Sequence, residues 1–274
     1  MPSSGGGIAK CVRDGKEIGC TAVQVFTKSP RMWASSPITS EKEAEFKEAV
    51  KETGIDALVC HDSYLINLAD PKPEGRERGI EGLKSEMERC GQYGIPFVVS
   101  HMGSHMGEGE EIGLQKVIEA TKHILENTPD SVTLLMETTA GQGSALNWKF
   151  EHLAQIIEEC KAPKRLAVCL DTCHIFVAGY DIRTAETFHA TFAEFERLVG
   201  FDRLKVVHCN DSKKGLGSRV DRHENLGKGE IGPKAFQLLV TDNRFAKIPI
   251  IIETPTENDG HRRNVAKLWE WAQG

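Results

Sequence analysis

The sequence lacks the features of a membrane or secreted protein. None of the apolar runs in its 274 residues approaches the roughly 20 residues that span a bilayer. The start, Met-Pro-Ser-Ser-Gly-Gly-Gly, has neither the basic residues nor the apolar stretch of a signal peptide. We therefore expect a cytoplasmic protein without membrane contact.

Paired cysteines are also missing. The 8 cysteines are scattered, and none belongs to a Cys-x-x-Cys pair. Cys60, Cys169 and Cys209 stand in apolar runs, where cysteine usually behaves as a small buried hydrophobe. We expect reduced, buried thiols rather than a disulfide framework.

Excess positive charge is absent as well. The net charge is −6 at pH 7, whereas nucleic-acid binding depends on neutralising phosphates. About three divalent cations at the site described below would offset this charge. For nucleic-acid binding, local basic segments matter more than the net charge of the chain; here they are Lys213-Lys214 and 219–222. The charge balance therefore does not exclude DNA as a partner.

Short apolar runs and amphipathic segments alternate along the chain. The runs predict buried parallel strands over 22–28, 56–62, 97–103, 132–138, 165–172, 204–211 and 249–254. Helical spacing predicts helices over 7–19, 39–53, 76–93, 110–127, 147–160, 183–199, 233–242 and 259–271. Ser40 followed by Glu43 suits a capping box at the second helix.

This alternation predicts a parallel sheet with helical crossovers. Eight helices without a break favour a (β/α)8 TIM barrel over an open doubly wound sheet. No linker divides the chain, so we predict a single domain over residues 1–274. The first barrel strand has no counterpart, because 1–6 is too short and too rich in glycine and serine to form one.

Metal-binding residue types stand at the ends of the predicted strands. Six strands each end at or near one of them: His61, His101, Glu137, Asp171, His208 and Glu253. Three more, His174, Asp221 and His223, lie on adjoining loops. A single such residue is more often a cap or a structural histidine, but six on six strands are hard to explain that way. Because strand C-termini of such a barrel share one face, we expect these residues to converge.

These side chains suit a cluster of metal ions. Imidazole and carboxylate ligands favour Zn²⁺, with Mn²⁺ or Fe²⁺ as alternatives in part of the site. Carboxylates can bridge, so nine ligands suffice for about three ions. Two ions roughly 3.5–4 Å apart can activate a hydroxide and stabilise both the attacking and leaving oxygens of a phosphodiester.

Most of these residues lie in six motifs, which follow one another along the chain: Cys60-His-Asp-Ser-Tyr-Leu-Ile-Asn-Leu-Ala69, Ser100-His-Met-Gly-Ser-His105, Glu137-Thr-Thr-Ala-Gly-Gln-Gly-Ser144, Asp171-Thr-Cys-His174, His208-Cys-Asn-Asp-Ser-Lys213 and Asp221-Arg-His223. Together the six motifs resemble those of the endonuclease IV family of abasic-site (AP) endonucleases, and the resemblance extends over about 6–253 and beyond.

The resemblance implies a barrel with a trinuclear zinc site. His61 and His101 would bind the first ion, and Glu137 would bridge it to the second. Asp171, His208 and Glu253 would complete the second, and His174, Asp221 and His223 would hold the third. We assign the catalytic roles to Glu137 and Glu253.

The resemblance also implies a DNA repair activity. The family cleaves the phosphodiester 5′ to abasic sites in double-stranded DNA, leaves a 3′-hydroxyl and removes 3′ blocking groups. Arg31, Tyr64 and Leu65 match its DNA-penetrating residues, and Lys213 and Arg222 would contact phosphate. Wedge side chains replace lost stacking, and the cost is lowest where a base is already missing. We expect a monomer.

Two other functions remain open. A metal-dependent sugar isomerase or epimerase uses the same barrel and similar ligands; the segment 221–223 and the wedge loops argue against it. A catalytically impaired abasic-DNA binding protein is the other, because the first strand is absent. Met102 replaces a proline common in the family, and the role of His105 stays open.

Overall fold

The computed structural model describes residues 6–162 and 164–274, which form nine α-helices and nine β-strands. The helices are α1 (Gly7–Glu17), α2 (Ser40–Thr53), α3 (Pro73–Tyr93), α4 (Glu110–Glu126), α5 (Phe150–Cys160), α6 (Thr172–Ala178), α7 (Ala185–Leu198), α8 (Pro233–Thr241) and α9 (Gly260–Gln273). The strands are β1 (Ala22–Val25), β2 (Ala57–His61), β3 (Phe97–Ser100), β4 (Thr133–Glu137), β5 (Leu166–Asp171), β6 (Leu204–His208), β7 (Asp211–Ser212), β8 (His223–Glu224) and β9 (Ile250–Ile251).

The predicted alternation of strands and helices is confirmed. Each of the predicted strands contains an observed one, shorter at one or both ends. No strand precedes α1 among the described residues, in agreement with the missing first strand. Most of the segment 1–6 behind that prediction, residues 1–5, lies outside the described residues. In the described part of the chain no helix has the length and apolarity to cross a bilayer.

The described chain divides into two compact units. Unit 1 comprises the residues up to Met136 together with Ile156–Ala167, and unit 2 comprises Glu137–Gln155 and Val168–Gly274. The division therefore passes through β4 and β5. The single domain over 1–274 stays a prediction.

Unit 1 contains four parallel strands in the order β1-β2-β3-β4. The pairing aligns Val25 with Cys60 and His61 with Val99. After its first residue, each of these strands is buried throughout. Continuous burial is typical of a parallel sheet, since both faces are covered. The register brings the C-terminal ends of β2 and β3 side by side.

Unit 2 repeats this arrangement with β5, β6 and β9. Asp171 pairs with His208 at the ends of β5 and β6, and His208 pairs with Ile251. A separate antiparallel ladder joins β7 and β8, with Ser212 opposite His223. Strand pairing therefore sets two ligand-type residues next to each other before any side chain is considered.

Two local predictions differ from the structure. The cap of α2 is Thr39, whose side chain accepts from the Lys42 amide at 3.4 Å, so the capping box predicted at Ser40 was wrong. Helix α6 was not predicted, because the apolar run of β5 continues into it without a glycine or proline. All eight cysteines are free thiols, and six of them are buried as predicted, whereas Cys20 and Cys160 are partly exposed.

Candidate metal centre

The ligand-type residues stand where their strands end. His61, Glu137, Asp171 and His208 are the last residues of β2, β4, β5 and β6. His101 follows β3 directly, and Glu253 lies two residues beyond β9. Glu137, Asp171 and His208 are fully buried. Polar side chains in this position are rarely without partners, because burial without hydrogen bonds is costly.

In unit 1 the two candidate histidines face each other. The ring centroids of His61 and His101 are 5.3 Å apart and the rings are nearly perpendicular. His61 is buried and its Nδ1 lies 3.0 Å from the carbonyl oxygen of Asp62. If Nδ1–H donates to that carbonyl, the other ring nitrogen is left as a ligand atom, which is the usual arrangement of a metal-binding histidine.

In unit 2 four candidate ligands form one cluster. One ligand atom from each of Glu137, Asp171, His208 and Glu253 lies within 4.8 Å of the others. His208 Nδ1 is 3.0 Å from Glu137 Oε1, 3.5 Å from Glu253 Oε2 and 3.9 Å from Asp171 Oδ2. Three carboxylates around one imidazole are electrostatically unfavourable unless a cation joins them.

A second cluster in unit 2 forms around Asp221. Its two oxygens each face one imidazole, with His174 Nε2 3.3 Å from Oδ2 and His223 Nε2 3.3 Å from Oδ1. His223 Nε2 also lies 3.6 Å from Asp171 Oδ2. The ligand atoms of Asp171, His174 and His223 are again within 4.8 Å of one another. Asp171 therefore belongs to both clusters.

The spacing Asp-x-x-His is explained by α6. Asp171 caps this helix, and its Oδ1 accepts from the His174 amide at 3.0 Å. The cap leaves Oδ2 for the clusters. His174 Nδ1 lies 2.8 Å from the carbonyl oxygen of Thr138, which directs Nε2 towards Asp221. His223 is oriented in the same way, with Nδ1 3.2 Å from the carbonyl oxygen of Glu253.

Two further residues organise the ligands and were not singled out from the sequence. The Asn210 side chain donates from Nδ2 to Asp171 Oδ2 at 2.7 Å and accepts the Glu253 amide on Oδ1 at 2.7 Å. Thr138 Oγ1 accepts the Asp171 amide at 2.9 Å. Asn210 lies inside the quoted motif 208–213, so its polar side chain directly after β6 was the available signal.

The electrostatics of unit 2 fit a cation. Burial by itself lowers the pKa of His174, but Asp171, Asp221 and Glu137 outweigh it and raise the pKa well above 6.5. The pKa of His208 is also raised well above 6.5, because Cys169, Glu253 and Glu137 outweigh the effect of burial. His223 Nε2 is buried without a hydrogen-bond partner among the described residues. A metal ion would satisfy this nitrogen and replace the protons on the other two rings.

The predicted DNA-contact residues are at the surface. Arg31 is exposed, Tyr64 is 58% exposed and Leu65 is 37% exposed. Lys213 and Arg222 face each other at the base of the β7–β8 loop, where the Lys213 amide donates to the Arg222 carbonyl at 2.9 Å. Lys213 and Arg222 are both exposed.

Comparisons with known proteins agree on one family. The family model described as "Xylose isomerase-like TIM barrel" matches residues 12–273. A relative from Chloroflexus aggregans named "Probable endonuclease 4" is 50% identical over 269 residues, which cover 97% of this chain and 94% of the relative. The crystal structure of endonuclease IV from Thermus thermophilus superposes with a TM-score of 0.88 at 33% identity, covering 99% of this chain and 96% of that one.

Sugar-converting enzymes share the fold at much lower identity. The crystal structure of a D-tagatose 3-epimerase-like protein superposes with a TM-score of 0.68 at 16% identity, over 86% of this chain and 84% of that one. Identity this low shows the fold alone, because one barrel supports many chemistries.

Proposed function

The chain belongs to the endonuclease IV family, and we propose that it cleaves the phosphodiester 5′ to abasic sites in double-stranded DNA, leaving a 3′-hydroxyl. We extend the proposal to the removal of 3′ blocking groups. Its fold is the xylose isomerase-like TIM barrel, as the sequence predicted. The predictions of a cytoplasmic location and a monomer accompany this proposal.

The observation that carries the proposal is the ligand cluster of unit 2. Glu137, Asp171, His208 and Glu253 offer ligand atoms within 4.8 Å of one another, at the C-terminal ends of parallel strands. Active sites of this fold are built at that position. A cluster dominated by carboxylates suits phosphodiester hydrolysis, where metal ions stabilise the developing charge.

The nine residues would hold about three Zn²⁺ ions, with Mn²⁺ or Fe²⁺ as alternatives in part. They are His61, His101, Glu137, Asp171, His174, His208, Asp221, His223 and Glu253. When bound, the ions supply Lewis acidity towards the phosphate and lower the pKa of water to about 7.

The remaining residues orient ligands and DNA. Asn210 orients the Asp171 carboxylate and holds the backbone of Glu253 in place. Arg31, Tyr64 and Leu65 would take over the stacking lost around an abasic site. Such wedges need large exposed side chains on anchored loops, and the exposures of Tyr64 and Leu65 meet that condition.

No specific observation favours the alternatives. The likeness to a sugar epimerase at 16% identity is one of fold, and the clusters include Asp221 and His223, which a one- or two-metal isomerase does not need. An abasic-DNA binding protein without turnover would not need this set of buried ligands either.

The test is incision of a labelled duplex that carries one tetrahydrofuran abasic analogue, with the metal content measured on the same preparation. The analogue has no aldehyde, so a lyase cannot cut it. We expect one cut 5′ to the analogue with a 3′-hydroxyl end, and about three metal ions per chain. Intact metal loading without a cut would refute the proposal, and an unmodified duplex is the control.

A further inference from the structure

The segment that carries Arg31 is irregular but rests on a buried ion pair. This segment, 26–39, connects β1 to α2 and is called the first loop here. Its Lys28 side chain is 4% exposed and lies 3.3 Å from the carboxylate of Glu86 on α3, which is 2% exposed. Lysine and glutamate are almost never fully buried unless they are paired.

Three further contacts extend this anchor along the first loop. Thr27 Oγ1 donates to the second oxygen of Glu86 at 2.6 Å. Arg89, one turn further along α3, donates to the Thr27 carbonyl at 2.6 Å and to the Ser36 carbonyl at 3.0 Å. Both ends of the first loop are therefore bound to one face of α3.

The first loop is also joined to the segment 62–70 after β2, called the second loop here. The carbonyl of Pro30 accepts from the Tyr64 amide at 3.1 Å and from the Ser63 hydroxyl at 2.8 Å. Pro30 is next to Arg31, so these two hydrogen bonds tie together the backbones that carry Arg31 and Tyr64.

Helix α3 supports both loops at a second point. A Cβ atom at Gly82 would lie 3.2 Å from Cζ3 of Trp33 and 3.3 Å from Cγ1 of Ile66. Trp33 belongs to the first loop and Ile66 to the second. The close approach shows that both loops pack directly on the helix surface one turn before Glu86.

We propose that Glu86 is a positioning residue for abasic-DNA recognition, because its buried carboxylate fixes the first loop and thereby the place of Arg31 and Tyr64. This inference rests on the proposed function. A buried ion pair is weak evidence for a stabilising role, since apolar residues often serve as well. We assign the ion pair a role in holding the first loop in place, because a loop held in its binding conformation loses less conformational entropy when DNA binds.

The experiment compares Glu86→Gln, Lys28→Met and the double variant on the abasic-analogue duplex. We expect Glu86→Gln to lower kcat/KM roughly 10- to 100-fold. The loss should appear in KM and in discrimination against intact duplex, while kcat changes by less than about twofold. The metal content should be unchanged, because Glu86 is not among the proposed ligands. Glu52→Gln removes one of the two carboxylates that pair with Arg13 on α1; it is the control for the same change at an exposed ion pair and should leave KM unaltered.

The double variant separates positioning from stability. Each single change leaves a buried charge without its oppositely charged partner and should lower Tm, whereas the double variant removes both charges and should recover much of Tm. Its KM should stay raised, because the anchor is still missing. Recovery of KM together with Tm would overturn the proposal, as would an unchanged KM in Glu86→Gln.

A milder variant covers the case in which Glu86→Gln fails to fold. Thr27→Val removes the hydrogen bond that the Thr27 hydroxyl donates to Glu86 and the one that it accepts from Arg89, at nearly constant volume, and a smaller rise of KM is expected. An unchanged KM in that variant would contradict the proposal. Absence of incision by the unaltered protein is a different result, because it would refute the proposed function itself.

Discussion

The side-chain amide of Asn210 links Asp171 to the backbone of Glu253, with two hydrogen bonds of 2.7 Å each. Strand pairing alone places Asp171 beside His208, but it does not set the rotation of the Asp171 carboxylate. Asn210 sets that rotation from one side, while the cap of α6 sets it from the other through the His174 amide. The geometry of the ligand cluster therefore depends on a residue that need not touch an ion.

Asn210→Ala should reduce metal content and incision together. Losing a residue that orients ligands typically costs about 10- to 100-fold in metal affinity or activity. The measurement is zinc content by mass spectrometry beside the rate of incision. Asn264→Ala is the matched control, because Asn264 is also buried and hydrogen-bonded to Leu226, Thr254 and Gly260. If Asn210→Ala retains the metal content and rate of the Asn264 variant, the orienting role is wrong.

Glu137→Gln should abolish incision at nearly unchanged side-chain volume. Glu137 is fully buried and lies 3.0 Å from His208, so the amide keeps the packing but removes one negative charge. A neutral amide is a much poorer ligand for Zn²⁺ than a carboxylate. The check is a single-turnover incision assay with metal analysis, and near-normal cutting would contradict the assignment of Glu137 to catalysis.

Arg31→Ala should weaken the preference for abasic over intact duplex while leaving metal content unchanged. The side chain is exposed and belongs to the first loop, away from the candidate ligands in sequence. Without the wedge, the unstacking of the kinked duplex, which costs about a few kcal/mol per step, is no longer compensated by the side chain. Competition binding with abasic and intact duplexes measures the ratio of the two affinities. Arg197→Ala, at an exposed arginine of α7, is the control and should keep the original ratio.

Metal loading at pH 7 should release protons. The pKa values of His174 and His208 are raised well above 6.5, so both rings carry a proton in the metal-free protein. A metal ion needs neutral imidazoles, so it displaces these protons and binds more tightly as pH rises. Calorimetry in two buffers of different ionisation enthalpy counts the protons. A binding enthalpy that does not depend on the buffer would argue against these histidines as ligands.

The raised pKa values of His174 and His208 also determine how the stability of the metal-free protein changes with pH. A histidine whose folded pKa lies above 6.5 stabilises the metal-free fold fully below 6.5, and this contribution disappears as pH rises through the raised pKa. The difference in Tm between loaded and metal-free protein should therefore widen above pH 6.5. Thermal melts with and without chelator across that range measure it.

His261 should make the fold less stable in mild acid. Burial lowers its pKa to about 4, and its Nε2 lies 3.1 Å from the Thr254 carbonyl. Since the unfolded pKa is 6.5, the unfolded chain takes up this proton first as pH falls. The contribution to stability is full above 6.5 and decreases towards pH 4. His261→Gln should show a flatter loss of unfolding free energy over this range in urea titrations of metal-free protein. Parallel curves of unfolding free energy against pH for the variant and the unaltered protein would refute this role of His261.

The sequence by itself predicted the alternating fold because its apolar runs are short and continuous and its helices are amphipathic. Those patterns reflect which residues of a segment are buried, and they can be recognised within that segment alone. The residues at the strand ends could be selected for the same reason, since parallel strands put their C-termini at one edge. The resemblance then assigned roles that spacing alone left open.

The tertiary structure decided what depends on contacts between distant segments. The segment 165–177 contains no glycine or proline that divides β5 from α6, and the structure alone shows that Asp171 is the cap at which the helix begins. Asn210 and Glu86 are ordinary polar residues in sequence. Their partners lie 39 and 59 residues away, at Asp171 and Thr27. Local patterns carry no information about such pairs, because the hydrogen bonds that give these residues their roles form only after the chain has folded.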